Sequence, residues 1–312
     1  MAKTNGRRED FYAGHFYKTD LIMNRRKFLG ITGGSVCIAG VIYYAFSDKS
    51  NFVRSDLKPD IKVKTQLTAD ERHILYLASL APSGHNTQPW LIKHIEPLRW
   101  VICNDKSKWL PAIDPMQRET ILSIGAFIQN LEYAAHNLGY RCQFSLIAST
   151  NQDEKVMVVK LIRSGNHFRY DIENIVKRRT VRSNILSVGL KKEDIRLLVD
   201  NESDFIHFIP RTTKAYHYLN EQTIEANKVQ SYRDPAQKEL ADWIRFSSKD
   251  AEKYRDGLTT GSMEIEGVSG WVVRNFYGKS KVMGKSFRDQ NIDQAVKQVA
   301  SSAGWFLITS ND

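Results

Sequence analysis

Cysteine is scarce: 312 residues contain three, Cys37, Cys103 and Cys142. An odd and small number excludes a disulfide-stapled scaffold and any four-cysteine zinc site. Cys103 and Cys142 fall in expected strands and read as buried hydrophobes. Long apolar runs are equally few. Only Ile31 to Phe46 approaches membrane length, so a multi-span membrane protein is excluded. No G-x-G-x-x-G follows a strand, which leaves a Rossmann dinucleotide site without support. No H-x-x-x-H pair and no Cys/His cluster accompanies His85 and His94, so no metal site is expected. The absence of G-x-S-x-G leaves hydrolase chemistry unsupported.

What is present is an ordinary globular composition, 42% hydrophobic and 26% charged, with enough chain for a sizeable core. The net charge of +10 comes from 45 Lys+Arg against 35 Asp+Glu. Residues 1–50 hold eight of the basic and four of the acidic residues. In the rest the signs alternate, as in Lys191-Lys192-Glu193-Asp194. That pattern belongs to solvated helix faces, and no nucleic-acid partner is expected.

Residues 1–46 read as a leader. Asn24-Arg25-Arg26-Lys27-Phe28-Leu29-Gly30 precedes the weakly apolar run, and this arrangement resembles a bacterial twin-arginine (Tat) signal. A short membrane anchor with basic flanks is the other reading. Tyr43-Tyr44-Ala45-Phe46 offers no small-x-small cleavage site. Met23 is a candidate start. The expectation is export by the Tat machinery, leaving the protein periplasmic or anchored in the cytoplasmic membrane. Residues 47–66 read as a linker.

In the body, Thr68-Ala69-Asp70-Glu71 is a capping box, and a helix follows with Ile74, Leu75, Leu77, Ala78 and Ala81 on one face until Pro82. His73 on that helix reads as a surface residue. Trp90 to Ile95 and Trp100 to Cys103 read as paired strands. Arg118 to Leu138 carries the clearest helical period, closed by Gly139. Cys142 to Ala148 and Val156 to Ile162 are strands. Helices are then expected over 171–179, 191–199, 213–228 and 235–255, with a strand at 205–209. Residues 258–286, with five glycines and no clean period, read as a long loop or lid. A helix over 290–303 and a strand over 305–309 end the chain. Strands clustered with helices, without βαβ alternation, argue an α+β layer fold.

Two segments stand out chemically. Ala81-Pro82-Ser83-Gly84-His85-Asn86-Thr87-Gln88-Pro89-Trp90 is polar and turn-rich. Its hydroxyl, carboxamides and backbone N–H groups suit the edge of a flat heteroaromatic ring, or simply a well-bonded connection. Lys177-Arg178-Arg179-Thr180-Val181-Arg182-Ser183, at the end of a helix, suits a phosphate through guanidinium forks and hydroxyls, or a solvated face. Trp243 and Trp271 read either as part of a lid or as packing.

Together the segments resemble the FMN-dependent nitroreductase family, in its export-associated, Acg-like branch. The resemblance includes A-P-S-G-H-N-T-Q-P-W at 81–90, L-P-A-I-D-P-M-Q-R-E at 110–119 and R-R-T-x-R at 178–182. Asp242-Trp243-Ile244-Arg245 and Arg255-Asp256-Gly257-Leu258 extend it, so that it covers about residues 67–312. It implies a nitroreductase-like α+β fold whose two fused halves, 67–165 and 166–312, form an intrachain pseudo-dimer around one FMN, with a lid over 233–286. The chain would then act as a monomer. Pro82, Ser83, Asn86 and Gln88 would meet the ring side, and Arg178, Arg179, Thr180 and Arg182 the phosphate. The implied activity is hydride or electron transfer from a donor such as NAD(P)H to a small electron-poor substrate, with no obligatory acid–base side chain. A non-catalytic flavin-binding or flavin-sequestering protein is the alternative. Family chains continue with a further glycine-containing helix, whereas this sequence stops at Asp312, a departure that bears on flavin retention.

Overall fold

Thr68 opens the first helix as the sequence requires. In the computed structural model, which describes residues 66–165, 170–199 and 204–309, its hydroxyl accepts from the Glu71 N–H at 3.2 Å. Glu71 Oε2 accepts in turn from the Thr68 N–H at 2.8 Å, which completes the capping box. Helix α1 (Ala69–Ala78) leads into the 82–90 loop and then β1 (Trp90–Glu96) and β2 (Arg99–Asn104). The turn between these strands puts Leu98 at φ 63°. Helix α2 (Arg118–Asn137) ends at the cap residue Leu138, with Gly139 at φ 77° just beyond it. There the chain turns into β3 (Tyr140–Leu146) and β4 (Lys155–Arg163).

These four strands form one antiparallel sheet in the order β1-β2-β4-β3. Both helices bury their apolar stripes on it. Ile74 and Leu77 of α1 and Ile124, Phe127 and Leu131 of α2 meet Trp100, Ile102, Val159 and Leu161 of the central strands. Each such side chain, removed from water, stabilises the fold by about 1.5–3 kcal/mol. The α1 stripe read from the sequence is buried, with Ile74, Leu77 and Ala78 on the helix and Ala81 just beyond it.

The remainder runs through α3 (Ile172–Lys177), α4 (Lys192–Val199), β5 (Ile206–Pro210), α5 (Lys214–Tyr232) and α6 (Asp234–Trp243). It continues with β6 (Ile244–Arg245), α7 (Ser248–Tyr254), β7 (Leu258–Thr259), α8 (Gly267–Phe276), α9 (Lys279–Val282), α10 (Lys285–Ser301) and β8 (Gly304–Ile308). Strands β5 and β8 pair antiparallel, and β6 and β7 pair parallel over two residues each. The buried Tyr216 hydroxyl donates to Val299 O at 2.7 Å, tying α5 to α10. The result is a mixed helix-and-strand fold, and all described residues fall within one compact unit, Asp48–Asp312.

Three expectations are corrected. The helix expected over 171–179 stops at Lys177, because Arg178 turns to φ −55°, ψ 130°. The arginine motif is consequently irregular chain. The single helix expected over 235–255 is two, since Ile244 is buried and pairs with Leu258 while Ser247 accepts from the Asp250 N–H to start α7. Residues 258–286, expected as loop, contain β7, α8 and α9; their helices are too short for a clear period. The leader with Arg25-Arg26 and residues 47–65 lie outside the described residues. Among the described residues no helix is long and apolar enough to cross a membrane.

Candidate functional site

The 82–90 loop owes its shape to three non-glycine residues in the left-handed region, His85 (φ 47°), Asn86 (φ 54°) and Gln88 (φ 56°). Such a run is costly and persists only where surrounding bonds fix it. Those bonds are present. Ser83 Oγ accepts from the Gln88 N–H at 3.0 Å, closing the turn from within. Asn86 Nδ2 donates to Gly257 O at 3.0 Å, and the Gly257 N–H donates back to Asn86 O at 2.9 Å. Gln88 Nε2 donates to Arg255 O at 2.8 Å. Pro82 is exposed at the loop's entrance. Gly257 itself sits at φ 76°, and a Cβ there would lie 2.3 Å from Trp243 O, so both conformation and space require glycine.

Between Arg255 and Gly257 lies Asp256, buried, with Oδ1 accepting from Arg245 Nη2 at 2.6 Å and Nε at 3.0 Å. Its Oδ2 takes Lys108 Nζ at 2.6 Å. The Arg245 guanidinium also lies over the rings of Trp243 and Tyr254. This cluster joins the chain that follows β2 to the segment on which the 82–90 loop is seated.

His85 lies on the same loop. Burial, with the positive charge of Arg182 adding to it, pushes its imidazole down to about 4, so the ring is neutral at ordinary pH. Its buried Nε2 has no hydrogen-bond partner. Arg182 belongs to the second motif, and the two segments are hydrogen-bonded to one stretch of chain, the loop to Arg255 and Gly257 and the motif to Ser262 and Glu264. In that motif Arg178 is half-buried, and desolvation lowers its guanidinium pKa. Arg179 and Thr180 are exposed, and Arg182 is half-buried, with Nε donating to Ser262 O at 3.1 Å. Gln294 and Gln298, both on α10, each donate to Arg182 O at 2.7 Å.

One carboxylate lies against this motif. Glu264 Oε2 accepts from the N–H of Arg182 at 3.0 Å, the N–H of Ser183 at 2.6 Å and the Ser183 hydroxyl at 2.6 Å. The Ser183 hydroxyl bond, outweighing desolvation together with the two N–H groups and the charge of Arg179, holds its carboxyl below the usual range. Sequence reasoning passed over Glu264, because nothing local marks a glutamate whose donors lie some eighty positions earlier. It passed over Asp256 as a partner of Lys108 for the same reason.

Two other features lie nearby. A surface cleft of about 430 Å³, walled by Trp109, Pro235, Lys238, Asp242 and Trp243, contains no residue of either motif. Glu239 on α6 accepts from the N–H groups of Ala112 and Ile113 at 2.8 and 3.1 Å, which anchors the 110–119 segment. Among the described residues no three His, Cys, Asp or Glu side chains are grouped to hold a metal. Cys142 is half-buried and its thiol is pushed up to about 12 by burial, so it is chemically inert. His73 is exposed.

The FMN implied by the resemblance can be tested against this geometry. A carboxylate oxygen already sits on the Arg182 and Ser183 donors, so they accept an oxyanion, and a phosphate oxygen has the same requirement. On the 82–90 loop, His85 Nε2 is a buried polar atom with no hydrogen-bond partner. The Asn86 and Gln88 amide nitrogens, by contrast, are engaged with the 255–257 backbone. The phosphate end fits, while at the ring end the Ser83 hydroxyl, which accepts from the Gln88 N–H, is engaged as well.

Fold and site together describe a mixed helix-and-strand protein with an oxyanion-accepting junction between two distant segments. No family model matches the sequence. The chain is similar to the probable NAD(P)H nitroreductase PigM of Serratia sp. (strain ATCC 39006), at 24% identity over 119 residues. The match covers 36% of this chain and 33% of that protein, so it spans about a third of the relative's length. That similarity supports the nitroreductase resemblance carried by the motifs.

Proposed function

We propose that this chain is a nitroreductase-type oxidoreductase that holds one FMN where residues 67–165 meet residues 166–312. It passes electrons from a reduced donor such as NAD(P)H to a small electron-poor acceptor. The observation that supports this reading is that the 82–88 loop and the end of the 178–183 motif are both hydrogen-bonded to the one stretch 255–264, the loop at Arg255 and Gly257 and the motif at Ser262 and Glu264. The similarity to an NAD(P)H nitroreductase points the same way. When bound, FMN supplies the redox chemistry, accepting hydride at its ring and returning it to the acceptor. Arg178, Arg179, Thr180 and Arg182 hold the phosphate. Pro82, Ser83, Asn86 and Gln88 shape the wall along the ring, and neutral His85 offers a hydrogen-bonding nitrogen without a competing charge.

The test is direct. The purified chain is expected to take up FMN, to release FMN and not FAD on denaturation, and to bleach on addition of NAD(P)H. Arg178→Ala removes a charge-assisted contact, so FMN should bind about ten- to a hundredfold more weakly. Riboflavin, which lacks the phosphate, should bind the variant as it binds the parent. A colourless protein in the presence of excess FMN would sink the reading. The engagement of the Asn86 and Gln88 amides favours a second reading, a flavin-binding protein without turnover. In that case FMN binds but NAD(P)H does not bleach it.

We also propose that the protein is exported by the Tat machinery, on the strength of Arg25-Arg26 ahead of a weakly apolar run. Arg25→Lys with Arg26→Lys is expected to leave folded protein in the cytoplasm on cell fractionation. Unchanged fractionation of the double variant would make the segment a plain anchor.

A further inference from the structure

Successive backbone N–H groups that converge with a hydroxyl on one point form an anion slot, because each donates to the same oxygen. The N–H groups of Arg182 and Ser183 and the Ser183 hydroxyl make such a slot, with Asn184 in the left-handed region directly after it (φ 54°). The oxygen in it is the chain's own. Glu264 reaches the slot from the turn that follows β7, where Glu264 N–H donates to Gly261 O at 3.0 Å and Ile265 N–H to Thr260 O at 2.9 Å. Glu264 is held at φ 57°, a conformation that costs a residue with a Cβ about 1–3 kcal/mol and needs compensation. The three bonds to the slot are that compensation. Ser262 O on the same turn accepts from Arg182 Nε, so the turn is fastened to the motif at two points.

We propose that Glu264 is a built-in competitor for the phosphate of the flavin: its carboxylate fills the anion slot of the 178–183 motif, and a phosphate-bearing ligand enters by displacing it. The identity of the ligand rests on the flavin reading above; the slot and its competitor do not. Displacement releases one acceptor and supplies another, so the donors stay satisfied in both states. Only the fraction of molecules with the slot open binds phosphate, and the apparent affinity falls by that fraction. The site thereby discriminates twice. It disfavours neutral ligands, which gain nothing at the slot, and it demands a stronger anion than a carboxylate already in place.

The experiment compares the parent chain with Glu264→Ala, Glu264→Gln and the control Glu266→Gln. Glu266 is exposed two positions away, and its replacement makes the same change in net charge without touching the slot. Titrations use FMN, riboflavin and inorganic phosphate at low ionic strength, with circular-dichroism melting to show that each variant is folded. Glu264→Ala is expected to tighten FMN and phosphate by about tenfold or more, as for a slot open in a tenth of molecules. Riboflavin should be unaffected, and Glu266→Gln should leave all three near the parent. If Glu264→Ala does not fold, Glu264→Gln, which keeps the side-chain volume but removes the charge, carries the same comparison. If no variant binds any flavin while phosphate binding emerges on removing the Glu264 charge, the flavin reading falls and the slot stands. Unchanged FMN and phosphate affinity in a folded Glu264 variant overturns the proposal. So does an equal gain in Glu266→Gln, which would make the effect one of general charge.

Discussion

Asp256→Ala is expected to lower the unfolding free energy by about 3–5 kcal/mol. Asp256 is buried, its side chain 8% exposed, and Arg245 beside it is 11% exposed. Alanine leaves that guanidinium in place, held over Trp243 and Tyr254, with no counter-charge and little water to replace it. Losing one partner of a buried pair costs much more than the pair contributes when intact, because the survivor keeps its desolvation penalty. For a chain of this size the melting temperature should fall by roughly 5–10 °C. Lys108→Ala should cost only about 1 kcal/mol, since Lys108 is 30% exposed and water takes over part of its solvation. The comparison is made by urea denaturation of the three proteins. Asp256→Ala unfolding together with the parent would show that the cluster adds nothing to stability. A second effect follows from position. Asp256 lies between the two residues whose backbone holds Asn86 and Gln88, so loosening it should also weaken the seat of the 82–90 loop.

The same cluster shows where the sequence is legible and where it is not. Features set by neighbours along the chain can be read directly: the Thr68 cap, the apolar stripe from Ile121 to Leu138, the turn at Gly139 and the alternation of β3 and β4. Features set by partners elsewhere cannot. Residues 235–255 carry an unbroken helical composition, and nothing in them announces that Ile244 pairs with Leu258 or that Arg245 turns to Asp256. The helix breaks because those tertiary bonds outweigh a modest local preference. The motif 178–182 has a helical flank for the same reason, yet Arg178 leaves the helix. The site follows this rule too. The two segments are visible by their chemistry, whereas their common anchorage on residues 255–264 is not. Glu264 carried no signal at all, since its function depends wholly on what it touches.

Glu71 combines both kinds of information, and its replacement should have an effect of similar size to the loss of Asp256. The sequence marks it as the reciprocal partner of Thr68. The structure adds that its other oxygen, Oε1, accepts from the Leu98 N–H at 2.8 Å, so one fully buried carboxylate ties the start of α1 to the β1–β2 turn. Hydrogen bonds to a charged group contribute about 1.5–3 kcal/mol each, so Glu71→Ala, which orphans two N–H groups, should cost about 3–6 kcal/mol at neutral pH. The dependence on pH follows from the carboxyl itself. Burial raises its pKa, but the Thr68 and Leu98 N–H groups, the Thr68 hydroxyl and the nearby His94 outweigh burial and bring it below the ordinary 4.5. A carboxyl lowered in the folded state binds fewer protons there than in the unfolded chain. Its contribution is therefore complete above about pH 4.5 and is lost as the pH falls through the folded value. Urea unfolding of parent and Glu71→Ala, repeated from neutral pH into acid, should show a gap that is constant above that point and narrows below it. Glu71→Gln should lose stability at neutral pH as well, because its amide nitrogen must face one of two N–H donors, and its acid limb should be flatter than the parent's. A gap that stays the same down the acid limb would mean that the ionised form of Glu71 gives the fold no more than a neutral side chain of the same shape.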